Sequence, residues 1–129
     1  MLDSCVTSNS FTIFCYIDSA DCTVCSMQWL DYWSFYEDDL RKMNTGLSLI
    51  VSNSDEKTVI EALDNLRITY PVIFDKFSII KQNNIILLKQ NSVFVVNKKK
   101  EVVWLGLPNK SEKTWALFQK TLHHLSKTN

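Results

Sequence analysis

The sequence predicts an α/β fold with a central mixed β-sheet flanked by helices on both faces. Three observations predict it. Short β-branched and aromatic runs alternate with longer stretches of helical periodicity in the first part of the chain, an order that pairs strands in parallel through helical crossovers. Two β-rich runs near the end flank a polar turn, Asn97-Lys98-Lys99-Lys100, and so add an antiparallel hairpin. The run from Phe11 to Ile17 is apolar almost throughout, which suits a strand covered on both sides.

Each element follows from local chemistry. After the first strand, Asp18-Ser19-Ala20-Asp21 breaks the run and offers side-chain oxygens for a helix N-cap. A helical pattern then spans 22–43. Within it Cys25, Trp29, Tyr32, Tyr36, Leu40 and Met43 recur at three- and four-residue steps, forming one buried stripe that Trp33 widens. The tyrosines can keep their hydroxyls at the wet edge of that stripe. Residues 47–51 read as the second strand. Ser52, Asn53 and Ser54 are cap candidates for a helix over 55–66, with Val59, Ala62, Leu63 and Leu66 facing the core.

Residues 70–75 form a short strand entered through Pro71, whose missing donor fits a strand's beginning better than its middle. The stretch 76–90 has no single pattern, although a helical turn fits 77–81. Residues 92–96 and 101–105 are the hairpin strands. A last helix over 110–127 places Trp115, Phe118, Leu122 and Leu125 on one face, with Lys and His side chains near its end to complement the helix dipole.

The chain has 129 residues, which predicts a single domain over 1–129, with 1–10 as an irregular leader. It is 46 % hydrophobic and 22 % charged, an ordinary globular balance. Lys plus Arg and Asp plus Glu are each 14, so net charge gives no reason to expect a nucleic-acid or anionic-membrane partner. No apolar stretch approaches the ~20 residues of a membrane span. Residues 1–10 carry Asp3 and polar side chains rather than a basic stretch and an apolar block, so they are not read as a signal peptide. With only two glycines, Gly46 and Gly106, the chain has no phosphate-binding glycine loop; it also lacks a serine-hydrolase elbow and an HExxH motif.

The feature that carries chemistry is Cys22-Thr23-Val24-Cys25, between the first strand and the long helical pattern. Thiols three positions apart at a helix start can close into a disulfide. Cys22 falls at the first helical position, where unpaired amides and the dipole favour its thiolate. Cys25 falls on the buried stripe and is expected to be less accessible and less acidic. Asp21 opposes ionisation of the neighbouring thiol. The remaining cysteines read otherwise, Cys15 as a small buried hydrophobe and Cys5 as incidental.

The dithiol after the first strand, the segment Tyr70-Pro71-Val72-Ile73-Phe74-Asp75, and the run from Ser92 to Asn97 followed by Gly106 together resemble the thioredoxin fold. More narrowly they resemble the bacterial envelope redoxins, thiol–disulfide proteins related to the cytochrome-maturation and peroxiredoxin families. The resemblance spans about 11–126. It implies that Cys22 is the exposed nucleophile and Cys25 the resolving cysteine of an exchange reaction. It implies protein thiols and disulfides as substrates, a redox partner protein, no cofactor and no metal. It also implies a periplasmic or cell-envelope location, with the cytoplasm as the alternative.

The chain departs from that family at several positions. Tryptophan or glycine usually stands where this sequence has Asp21, and Thr23-Val24 lacks the common proline. The family's cis-proline substrate loop aligns with Asn91; a non-proline cis bond costs about 2.5–4 kcal/mol, so the 90–91 bond is expected to be trans. The glycine usual in the late turn is Lys100, which is expected to adopt a positive φ.

Three other readings compete. The first is a catalytically weak thioredoxin-like binding module, suggested by Asp21 and Asn91. The second is a peroxidase, although Cys15 and Asp18 stand where such relatives carry threonine and proline. The third is a zinc site of Cys22, Cys25, His123 and His124, although adjacent helical histidines point about 100° apart.

Overall fold

The computed structural model describes residues 9–17, 29–52, 56–65, 67, 69–75 and 93–127. It shows the α/β architecture that the element order predicts. Five strands form one sheet in the order β3-β2-β1-β4-β5: β1 is Phe11–Ile17, β2 Thr45–Ser52, β3 Val72–Asp75, β4 Val93–Asn97 and β5 Val102–Leu105. β1 pairs in parallel with β2, and β2 with β3. β4 runs antiparallel to both β1 and β5. β1 is therefore central, and all seven of its residues are buried.

The chain steps from β1 to β2 to β3 in one direction across the sheet. Right-handed crossovers then put both connecting helices on the same face. Leu40 of α1 (Glu37–Lys42) and Val59, Ala62 and Leu63 of α2 (Glu56–Asn65) accordingly share one apolar cluster. They meet Phe11, Ile13, Cys15 and Ile17 of β1 and Leu47, Leu49 and Val51 of β2. The C-terminal helix α3 (Glu112–Ser126) adds Trp115, Phe118 and Leu122 to the same cluster. The opposite face is buried too, with Phe14, Tyr16, Ile50, Ile73, Phe94 and Val96 forming a second cluster.

The long first helix differs from its periodicity. Among the described residues it is a 3-10 helix over Trp29–Tyr36 that passes into α1 at Glu37. Aromatic, Asp and Ser residues dominate the first stretch, and none is a strong α-helix former. The α-helix begins where three acids, Glu37, Asp38 and Asp39, line a first turn and Arg41 and Lys42 close the last, matching the dipole at both ends. The change of pitch rotates the stripe: Trp33, expected only to widen it, is fully buried, while Tyr36 and Met43 pack at the margin of the core. Leu66, expected on the core face of α2, lies outside the described residues.

Other boundaries move for identifiable reasons. β2 begins two residues earlier than its apolar run, at Thr45, because it pairs with the whole of β1 from Phe11 onward. β3 begins at Val72; Pro71 has no N–H for the ladder, yet its carbonyl accepts from the Leu49 amide at 2.8 Å. In the hairpin, Asn97 Oδ1 accepts from the amides of Lys99 (2.9 Å) and Glu101 (3.0 Å), and Lys100 adopts φ 66°, as expected from the missing glycine. Ser111 caps α3, its hydroxyl accepting from the Thr114 amide at 3.1 Å.

Candidate functional site

Three parallel strands end together. β1 stops at Ile17 and β2 at Ser52, one position beyond Ile17's partner Val51; β3 stops at Asp75, opposite Ser52. β4 begins at this same edge, since Val93 faces Cys15 of β1. Gly106 then donates its amide to the Val93 carbonyl at 2.8 Å, with a φ of 94° that favours glycine. The carboxyl ends of parallel strands are where α/β sheets place their sites.

Both chemistry-bearing segments of the sequence are tied to this edge. The chain leaves β1 at Ile17, five residues before Cys22, and its description resumes at Trp29, four residues after Cys25. It enters β4 at Val93, two residues after Asn91. Cys22, Cys25, Asn91 and the 90–91 peptide bond themselves lie outside the described residues, as do Cys5, Asp21 and the stretch 76–90.

Cys15 is described, and it behaves as its sequence context indicates. It is a free, fully buried thiol on the helix-facing side of β1. Burial pushes its ionisation far upward, because a thiolate there would lose its hydration. A thiol kept protonated in this way is inert as a nucleophile.

The strand-end edge also holds a polar pair that the motif reading missed. Asp75 is 2 % exposed, and the Tyr16 hydroxyl donates to its Oδ2 at 2.9 Å. Strand alternation puts Asp75 on the same face as Ile73, away from the described helices. The signal was present in the sequence: an acid two residues beyond an inward isoleucine, in a strand of a sheet covered on both faces.

His123 and His124 are both exposed in the last turn of α3. Among the described residues, no group of three His, Cys, Asp or Glu side chains is arranged to hold a metal. No described helix is long and apolar enough to cross a membrane.

No family model matches the chain, and no curated protein matches it. Solved structures do. The thioredoxin domain of a thiol-disulfide oxidoreductase from Bacteroides vulgatus aligns with a TM-score of 0.63 at 8 % identity, over 90 % of this chain and 81 % of that one. A secreted Mycobacterium tuberculosis disulfide oxidoreductase homologous to E. coli DsbE aligns at 0.57 and 6 % identity, over 94 % and 85 %. The peroxidoxin BcpB from Mycobacterium tuberculosis aligns at 0.65 and 12 %, over 94 % and 83 %. The fold is therefore thioredoxin-like, with the sheet order and mixed pairing described above.

Proposed function

We propose that the protein is a thiol–disulfide oxidoreductase that works through Cys22 and Cys25 on disulfides of protein substrates. The observation that carries this reading is the place of the CxxC sequence in the chain. It lies between β1 and the following helix, in a segment that leaves the carboxyl end of the central strand of a thioredoxin-like sheet. The Cys22 thiolate attacks one sulfur of the substrate disulfide; a mixed disulfide forms and the other sulfur leaves as a thiolate that takes up a proton. Cys25 then loses its proton and attacks Cys22. The substrate departs as a dithiol, with two electrons and two protons gained, and the enzyme keeps the 22–25 disulfide. A redox partner protein returns it to the dithiol, or runs the cycle in reverse.

Cell-envelope action fits this chemistry. Substrate disulfides persist in oxidising compartments, and one structural neighbour is described as secreted. The test is a redox titration with thiol trapping. The 22–25 pair is expected to cycle between dithiol and disulfide, and a pair that never cycles ends this reading. Cys22→Ser is expected to abolish all exchange while the fold persists; substantial residual reductase activity contradicts Cys22 as the nucleophile.

A second reading, a thioredoxin-like binding module with weak turnover, draws on Asp21 beside the first thiol and Asn91 in place of the proline. Insulin reduction separates the two: fast turnover excludes the module.

A further inference from the structure

We propose that the aromatic chain Trp33–Tyr36–Trp115–Phe118–Trp104 is a one-electron relay that carries an oxidising equivalent out of the core to Tyr36. It stands independently of the exchange reading above. The five rings run in unbroken contact. Trp33 lies 6.1 Å from Tyr36 and Tyr36 4.6 Å from Trp115, centre to centre. Trp115 lies 5.4 Å from Phe118, and Phe118 5.1 Å from Trp104. Such spacings also arise from packing alone, so the ends of the chain decide its use. There, the indole Nε1–H groups of Trp33 and Trp104 are buried without an acceptor among the described residues. An indole can only donate, and a buried donor left unpaired is rare enough to call for a cause.

An indole that loses an electron becomes a radical cation, which ordinarily settles by releasing its Nε1 proton. At Trp33 and Trp104 no described group receives that proton. Both rings pack against the apolar core, which disfavours a cation. The electron hole is therefore trapped at neither end. Tyr36 stands between them and is half-buried. Its phenol can give a proton to water and become a neutral radical, which needs no charge in the core. That neutral radical is a weaker oxidant than an indole radical cation, so the hole runs downhill to Tyr36. Phe118 is too hard to oxidise to hold it and only bridges Trp104 to Trp115. The sequence balances. A one-electron oxidant, an oxygen- or nitrogen-centred radical, takes an electron from an indole and becomes its anion. The indole cation regains an electron from Tyr36, and the phenol proton goes to water. A small one-electron reductant in solvent, of the ascorbate class, returns the electron to the tyrosyl radical, and water returns the proton.

Pulse radiolysis of the whole chain in azide solution tests the relay. The azide radical takes electrons from indoles in preference to phenols at neutral pH. In the wild-type protein the indole-radical absorption is expected to decay as the tyrosyl absorption grows, in a first-order phase independent of protein concentration. A rate that rises with protein concentration overturns the relay, because transfer is then between molecules. Tyr36→Phe keeps the ring and removes the oxidisable hydroxyl. It is expected to lose the first-order phase, leaving the indole radical to decay between molecules. The same phase at the same rate in Tyr36→Phe overturns the relay, since another tyrosine is then the acceptor. Trp115→Phe cuts one arm only. It is expected to keep the phase fed from Trp33 and to lose the part of the amplitude that starts at Trp104 and Trp115. An unchanged amplitude overturns that arm. A role in packing alone changes stability and leaves all three radical traces alike.

Discussion

The odd-numbered residues of β1, Phe11, Ile13, Cys15 and Ile17, face a layer of helices and touch apolar side chains. The even-numbered ones, Thr12, Phe14 and Tyr16, face the other way and are buried just as deeply. Of the five buried polar residues among those described, Thr12, Ser48, Ser52 and Asp75 alternate with the first cluster and so share the second face; Thr45, at the start of β2, is the exception and bonds to the Met43 carbonyl at 3.2 Å. One side of the sheet is thus a close-packed core. The other mixes aromatic packing with hydroxyls and one acid, and that acid sits at the edge where the candidate chemistry begins. Polarity inside a sheet costs stability unless it is hydrogen-bonded, and the Tyr16 hydroxyl meets that condition for Asp75.

The first face is where truncation should cost most. Phe118 is fully buried, 5.1 Å from the Trp104 ring and 5.4 Å from Trp115, and Trp115 in turn lies 4.6 Å from Tyr36. It thereby ties α3 to β5 and to the first helix. Phe118→Ala is expected to lower the unfolding free energy by about 3–5 kcal/mol in a denaturant melt. A loss under about 1 kcal/mol would show that this face is not the core that the packing describes.

On the second face, the corresponding test is Tyr16→Phe. The ring and its packing stay, and the hydrogen bond to Asp75 goes. Hydrogen bonds to charged groups contribute about 1.5–3 kcal/mol, so a loss of about 2 kcal/mol in the same melt is expected. An unchanged or raised stability would mean that the Tyr16–Asp75 contact adds nothing to the fold, and the contrast between the faces would be one of composition only.

Much of this contrast was legible in the sequence, and the reasons for the rest are physical. β1 was readable to the residue, because a fully covered strand is a continuous apolar run with turn residues after it. Val59, Ala62 and Leu63, and Trp115, Phe118 and Leu122, followed from helical spacing. The left-handed Lys100 followed from a turn that lacked its glycine. The 3-10 pitch of Trp29–Tyr36 did not follow, because the mixed three- and four-residue spacing is the α-helical period, whereas a 3-10 helix repeats every three residues, and the weak helix propensity of this stretch was the one contrary signal. Nor did the Tyr16–Asp75 bond: its partners are 59 residues apart, and pairing across a sheet depends on register. At the candidate site, the sequence supplied Cys22, Cys25 and Asn91, whereas the described strands supplied the shared edge to which their segments attach.

The inert thiol on the first face offers a pH test of smaller size. Cys15 ionises above its ordinary value of 9.0 when folded, because burial disfavours the thiolate. In the unfolded chain it ionises near that ordinary value. Below pH 9 both states hold the proton and Cys15 adds no slope. Above it the unfolded chain has released the proton and the folded one has not, so stability falls as pH rises, by up to about 1.4 kcal/mol per pH unit from this group. Cys15→Ala, at a cost of about 1 kcal/mol for the small cavity, is expected to lose this part of the alkaline slope between pH 9 and 10. Parallel curves for variant and wild type would mean that water reaches the thiol.

The smallest effect belongs to neither face. Lys100 is exposed and holds φ 66° so that its amide can donate to the Asn97 carbonyl at 3.0 Å and close the hairpin. A side chain in this left-handed region costs about 1–2 kcal/mol, while glycine adopts it freely but loses more chain entropy on folding. The two effects oppose each other, and Lys100→Gly is expected to stabilise by about 0.5–1 kcal/mol with exchange activity unchanged. That makes it a reference against which to read the other variants, since it alters backbone strain and leaves burial on both faces as it was. A destabilised Lys100→Gly protein would mean that the Lys100 side chain holds the hairpin through its own contacts, and β4, which borders the candidate site at its other end, would then depend on more than its register with β1.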